Sequence, residues 1–198
     1  MKLKESITTS FIGVIVGFFI VATYAPTITW GSLGLQSQLL LINQAVFPDG
    51  QLHGVFAGEW YRTLTVVLTH AGWLHLASNM LVFFQLGNIV ENFYGKVRYS
   101  AILAISTLAA SFTCLFLDPA NVPSVGASGM IFGLFGVMLA AGKKMGVDYR
   151  QVLGLLALNI VFSFAPGVNW HAHAGGFVGG LIAGYLLQFT KRKPTYNY

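Results

Sequence analysis

Six runs of apolar residues, at about 7–24, 72–92, 97–117, 127–142, 151–166 and 170–189, divide the chain and leave little room for anything else. A helix needs about 20 apolar residues to cross a hydrocarbon core of about 30 Å. Inside that core every backbone polar group must be paired within the protein. Runs of this length and number point to an all-α polytopic membrane protein, a six-transmembrane-helix bundle forming one membrane-embedded domain over 1–198. Composition agrees, since 55% of the 198 residues are hydrophobic and only 9% are charged, against about 25% charged in soluble domains. The 23 glycines are too many for loops alone and suit close helix contact in lipid.

The formal net charge of +5 is scattered between the apolar runs rather than gathered in a patch. That fits anionic headgroups of the lipid bilayer and argues against nucleic acid as a partner. The lone cysteine, Cys114, excludes a disulfide framework and a thiolate metal cluster. The first run is long for a secretory signal and lacks a small-x-small cleavage site, so it is expected to be retained as a span. A long interfacial loop, about 25–71, separates the first two spans; it carries Pro26, Trp30, Pro48-Asp49-Gly50 and Glu59-Trp60. Trp30, Trp60 and Trp73 suit the headgroup level.

Basic residues set the orientation. Lys2 and Lys4 precede span 1, Lys96 and Arg98 separate spans 2 and 3, and Lys143, Lys144 and Arg150 separate spans 4 and 5. Lys191, Arg192 and Lys193 follow span 6, and only Arg62 falls on the other side. With six spans, both termini are cytoplasmic. Spans 2, 4 and 6 then all begin on the outer side, and their N-terminal ends hold the unusual polar residues His75, Asn79, Ser128 and His173.

Ser128 taken alone reads as a packing or capping serine. However, the stretch Ala127–Gly142 has only 16 residues, about 24 Å as a helix, which is shorter than the core. With Lys143 and Lys144 at the inner surface, Ser128 stands at a helix N-terminus sunk in the membrane, where free N–H groups favour negative charge. His173, Gly176, Gly180 and Gly184 share one helical face, and Gly129, Gly133 and Gly136 offer a matching smooth face on span 4. Close approach of those faces brings His173 to Ser128 as a general base. His75 and Asn79, four apart on one face, are donors suited to an oxyanion. Phe132, one turn beyond Ser128, can stack on the imidazole. No acid is well placed for a triad, since Asp118 lies in the outer loop and Glu91 near the inner end of span 2. His171 is a second candidate base, although the glycine spacing favours His173.

From about Glu59 to Gly184 the chain resembles the rhomboid intramembrane serine proteases in their bacterial six-span form. The resemblance rests on Arg62, Thr65, His70, His75 and Asn79 in YRTLTVVLTHAGWLHLASN, and on Gly87, Glu91 and Gly95 in GNIVENFYG. It continues in GASG, residues 126–129, and AHAGGFVGG, residues 172–180. The resemblance implies Ser128 as nucleophile, His173 as base, and His75, Asn79 and the Ser128 amide as oxyanion donors. Gly126, Gly129, Gly176 and Gly180 match the family's motif glycines. Arg62 and Glu91 match structural positions, and His70 one that holds structure or water. Two departures stand out: Tyr61 separates Trp60 from Arg62, and Phe132 replaces a frequent tyrosine.

The expected activity is peptide-bond hydrolysis within transmembrane segments of other membrane proteins, without metal or other cofactor, in a bacterial cytoplasmic membrane with the site open to the outer side. Small or helix-weakening residues are expected around the cut. One rival is a non-catalytic rhomboid-like protein that binds membrane clients, which needs neither serine nor histidine. The other is a transporter using His53, His70, His75, His171 and His173; the absence of H-E-x-x-H and of an inverted repeat speaks against it. The sequence does not set the oligomeric state.

Overall fold

The computed structural model describes residues 6–25, 28–30, 33–164 and 167–189, with only the backbone at 29 and 30. The expectations placed on Lys2, Lys4, Pro26, Lys191, Arg192, Lys193 and the Trp30 side chain lie outside the described residues. In chain order the helices are α1 (Ile7–Tyr24), α2 (Leu35–Leu39), α3 (Arg62–Thr65), α4 (Trp73–Tyr94), α5 (Lys96–Leu117), α6 (Ser128–Met145), α7 (Tyr149–Ser163) and α8 (Trp170–Leu187). Six of them fall within a few residues of the six apolar runs. The fifth run extends to 166, whereas α7 ends at Ser163, and 165–166 lie outside the described residues. By length and composition α1, α4 and α5 are each able to cross a membrane.

Helix α6 is the centre of the bundle: every residue from Gly129 to Met138 is buried. It reaches α8 backbone to backbone, because glycine leaves no side chain between them. A Cβ at Gly176 would collide with the Gly129 carbonyl oxygen, one at Gly180 with the Gly133 carbonyl oxygen, and one at Gly136 with the Phe177 carbonyl oxygen. Such small-residue faces replace the hydrophobic drive that lipid cannot supply. Helix α8 has a second smooth face as well. Gly175 lies against Thr113 of α5 and Gly179 against Ala109, so α8 is wedged between α5 and α6.

Helix α1 leans on α4 through one carboxylate. Buried Glu91 accepts the Ile7 amide at 2.8 Å, the Thr8 amide at 2.9 Å and the Ser6 and Thr8 hydroxyls, both at 2.8 Å. A negative group thus satisfies donors that the first turn of any helix leaves free.

The segment between α1 and α4 folds more than its sequence announces. Strands β1 (Thr29–Trp30) and β2 (Leu33–Gly34) pair antiparallel, as do β3 (Ala45–Val46) and β4 (Leu52–His53). Arg62, in the same segment, is fully buried. It donates from Nε to Glu59 at 2.7 Å and from Nη1 to the Ser37 and Leu40 carbonyls at 2.8 and 2.9 Å. The Tyr61 ring lies 5.6 Å from the Arg62 guanidinium, and its hydroxyl accepts from Gln38 at 2.7 Å. Trp60 points outward, 56% exposed. Tyr61 and Phe47, rather than Trp60, therefore face the Arg62 guanidinium.

Glu59 also accepts the Gly54 amide at 2.6 Å and pairs with His53 Nδ1 at 2.9 Å, while His53 Nε2 meets Asp49 at 3.0 Å. Burial works against the Glu59 charge, but bonds from Arg62, His53 and Gly54 outweigh it and hold its pKa down to about 2 from 4.5. His53 is raised from 6.5, first by its bond to Glu59, with Asp49 adding and burial opposing. Glu59 therefore contributes stability that is present above about pH 4.5 and lost toward pH 2. His53 contributes stability that is full below pH 6.5 and lost as pH rises through its higher folded value. Amide hydrogen exchange across 42–62, corrected for intrinsic rate, is expected to be slowest between about pH 4.5 and 6.5. His53→Gln should remove the alkaline limb and shrink the acid one, since His53 is one of the groups that hold Glu59 down; a flat profile in the wild type would contradict this reading.

Candidate active site

Ser128 opens α6. The residue before it, Ala127, supplies no side-chain cap, so the first amides of α6 have neither a helical partner nor a capping oxygen. The approach to Ser128 is tied down on both sides. Leu41 and Ser124 exchange backbone bonds of 3.0 and 2.8 Å, and the Gly126 amide donates to the Val66 carbonyl at 3.2 Å. Gly126 has φ +112°, where an L side chain is strained, and a Cβ there would meet His75 at 2.7 Å. This is why a glycine is needed two residues before the serine.

The glycine contacts between α6 and α8 carry His173 to the serine. His173 Nε2 lies 2.8 Å from Ser128 Oγ. The Phe132 ring stacks on the imidazole, with centroids 4.2 Å apart and planes 7° from parallel. Stacking therefore needs no phenolic hydroxyl. His173 is buried, and its other nitrogen, Nδ1, lies 2.6 Å from Ser163 Oγ at the end of α7. Ser163 carries no signal in the sequence. It stands ten residues before the histidine but on another helix, and no spacing rule links the two.

His171 points elsewhere. Its Nδ1 pairs with Asp118 Oδ1, and Asn169 Nδ2 donates to Asp118 Oδ2. The Asn169 side-chain oxygen caps α8, accepting the His171 and Ala172 amides at 3.1 and 3.3 Å. Asp118 thus serves the first turn of α8 and the neighbouring histidine, not His173.

On α4, His75 Nδ1 is 3.5 Å from the Ala71 amide, which leaves Nε2 on the Gly126 side. Asn79 is buried and its Nδ2 donor has no partner among the described residues. Both side chains lie against Gly126, on the approach to Ser128. A cavity of ≈ 260 Å³ opens here, with His75, Gly126, Ser128, Ser111, Cys114 and Asn169 among its lining residues. His70 is buried beside it, its ring 5.1 Å from that of His75, and Gln36 holds its backbone through two 3.2 Å bonds. Among the described residues no group of three or more His, Cys, Asp or Glu is arranged to hold a metal ion.

This arrangement can activate a hydroxyl with a neutral imidazole beside helix-terminal amides. Comparison with known proteins leads the same way. The Rhomboid domain family matches residues 57–189. YdcA of Bacillus subtilis is 34% identical over 139 residues, covering 67% of this chain and 70% of YdcA. RHOMBOID-like protein 5 of Arabidopsis thaliana is 34% identical over 149 residues, 71% of this chain and 47% of that protein. The rhomboid protease GluP of Bacillus subtilis is 33% identical over 140 residues, 68% of this chain and 27% of GluP. The chain thus spans less than half the length of the last two. It is an integral membrane protein and belongs to the rhomboid family.

Proposed function

We propose that the chain is an intramembrane serine endopeptidase working through a Ser128–His173 dyad in a six-span bundle. The observation that carries this reading is the 2.8 Å approach of His173 Nε2 to Ser128 Oγ at an uncapped helix N-terminus. Family membership and a relative named as a rhomboid protease support it.

In the proposed reaction Ser128 Oγ bonds to the scissile carbonyl carbon and its proton passes to His173 Nε2. The carbonyl π pair moves onto oxygen, where the Ser128 amide, His75 and Asn79 receive it. The carbon–nitrogen bond then breaks, and the leaving amine takes the proton from Nε2. Water attacks the acyl-enzyme as Nε2 accepts its proton, and Ser128 departs with that proton restored. The Asn79 donor, without a partner among the described residues, supports this assignment, since a buried N–H without an acceptor is costly unless a ligand arrives to use it.

Helix α6 has 18 residues, about 27 Å. With Lys143 and Lys144 at the cytoplasmic surface, its first turn lies below the outer surface of the bilayer, and the cavity opens outward to water. A transmembrane segment of another protein is the substrate, entering from the lipid and cut where small or helix-weakening residues let it unwind. A bacterial cytoplasmic membrane, with both termini inside, fits the distribution of basic residues. The transporter reading fits less well, because His53 and His171 are each held by separate acidic partners rather than along one path.

The test is co-reconstitution in liposomes with a model single-span protein carrying Ala, Gly and Ser near its outer end. Two fragments from wild type and none from Ser128→Ala are expected. Equal cleavage by Ser128→Ala would overturn the assignment. Stable capture of the intact segment by wild type, with no cleavage, would favour the client-binding reading.

A further inference from the structure

We propose that Ser163 is a positioning residue that fixes the tautomer of His173; this rests on the reading of Ser128 and His173 as a catalytic dyad. Helix α7 turns most of its surface outward, and only Val152 and Ser163 are buried on it. Around Ser163, Val161, Phe162 and Phe164 are 68%, 61% and 73% exposed. A hydroxyl is the one group this stretch turns inward, and it goes to the imidazole.

The direction of the bonds follows from counting protons. Ser163 Oγ lies 2.8 Å from the Asn159 carbonyl oxygen and 2.6 Å from His173 Nδ1. A carbonyl only accepts, so the single hydroxyl proton goes to Asn159. What Ser163 offers the imidazole is a lone pair, and Nδ1 must carry the hydrogen. In the neutral ring the free lone pair is then on Nε2, the nitrogen facing Ser128. The opposite tautomer would set two acceptors against each other at Nδ1. When Nε2 takes the serine proton, the Nδ1–H bond to Ser163 persists and its oxygen faces the imidazolium. This is the orienting task that a carboxylate performs in a three-membered site. Among the described residues no carboxylate is hydrogen-bonded to His173: the ring is met by Phe132, Ser128 and Ser163, and Asp118 is engaged by His171 and Asn169.

The experiment follows the labelling of purified full chain by a fluorophosphonate, separating the rate constant at saturating probe (kinact) from the apparent probe affinity (KI). Ser163→Ala and Ser163→Val are expected to lower kinact by about tenfold or more with KI within about twofold, the loss of one orienting hydrogen bond. Ser163→Thr should stay within about threefold, because a helical threonine makes the same bond to the carbonyl four residues back. Thr and Val have the same shape, so their difference isolates the hydroxyl. Wild-type kinact in both Ala and Val variants, or equal slowing in Thr and Val, would overturn the proposal. Nitrogen-15 NMR of histidine-labelled wild type tests it without any Ser163 variant. His173 should show a protonated Nδ1 and an unprotonated Nε2; the reverse would overturn it. Labelling that persists in Ser128→Ala would sink the dyad itself. Labelling lost in Ser128→Ala but at wild-type rate in Ser163→Val would remove only the positioning role.

Discussion

His173→Ala is expected to lower turnover by about 10⁴- to 10⁶-fold, the range seen when a catalytic base is removed from a serine protease. His171→Ala should stay within a few fold of wild type. The two histidines lie two positions apart in HAHAGG, yet the helix sends them in different directions. His173 reaches Ser128 at 2.8 Å under the Phe132 ring. His171 turns to Asp118, where it helps hold the end of α5 against the start of α8. Losing the second contact loosens a partly exposed link, while losing the first leaves Ser128 with no proton acceptor. Steady-state cleavage of the single-span protein checks both variants. Activity lost in His171→Ala and retained in His173→Ala would reverse the assignment.

The second large effect is on stability. Gly180→Val is expected to destabilise the bundle by about 3 kcal/mol or more, and to abolish probe labelling with it. Overpacking a core costs about 1–3 kcal/mol where neighbouring side chains can shift. At Gly180 the neighbours are the carbonyl oxygen, carbonyl carbon and Cα of Gly133, so the helices themselves must separate. The separation would draw His173 away from Ser128. Gly154→Ala on α7 provides the contrast. Its position has nothing within 4 Å of an added Cβ, and removing a helical glycine stabilises by roughly 0.5–1 kcal/mol. Cys114 is the single cysteine and is buried, so a thiol-reactive dye reports unfolding during a thermal ramp. A wild-type melting curve for Gly180→Val would contradict the packing described for α6 and α8.

Those glycines explain why much of the site is legible in the sequence. Helical periodicity is a local property, so spacing alone puts Gly176, Gly180 and Gly184 on one face with His173. The matching face on span 4 then implies the approach of Ser128. The same reasoning does not reach Gly175 and Gly179, which face α5, because one helix can carry two smooth faces and spacing does not say which neighbours fill them. The strand pairs between α1 and α4 escape it too. Their strands are two residues long, too short for an alternating pattern to show. Ser163 is hidden for a related reason: where the last turn of α7 points is decided by packing across the bundle, not by neighbours in sequence.

In the proposed dyad, helix packing makes a nucleophile of a serine that would otherwise only pack. Peptide mapping of the fluorophosphonate adduct tests it most directly. Wild type should carry one adduct, on the hydroxyl of Ser128, and Ser128→Ala and His173→Ala should carry none. An adduct on another residue, or labelling unchanged in Ser128→Ala, would contradict it.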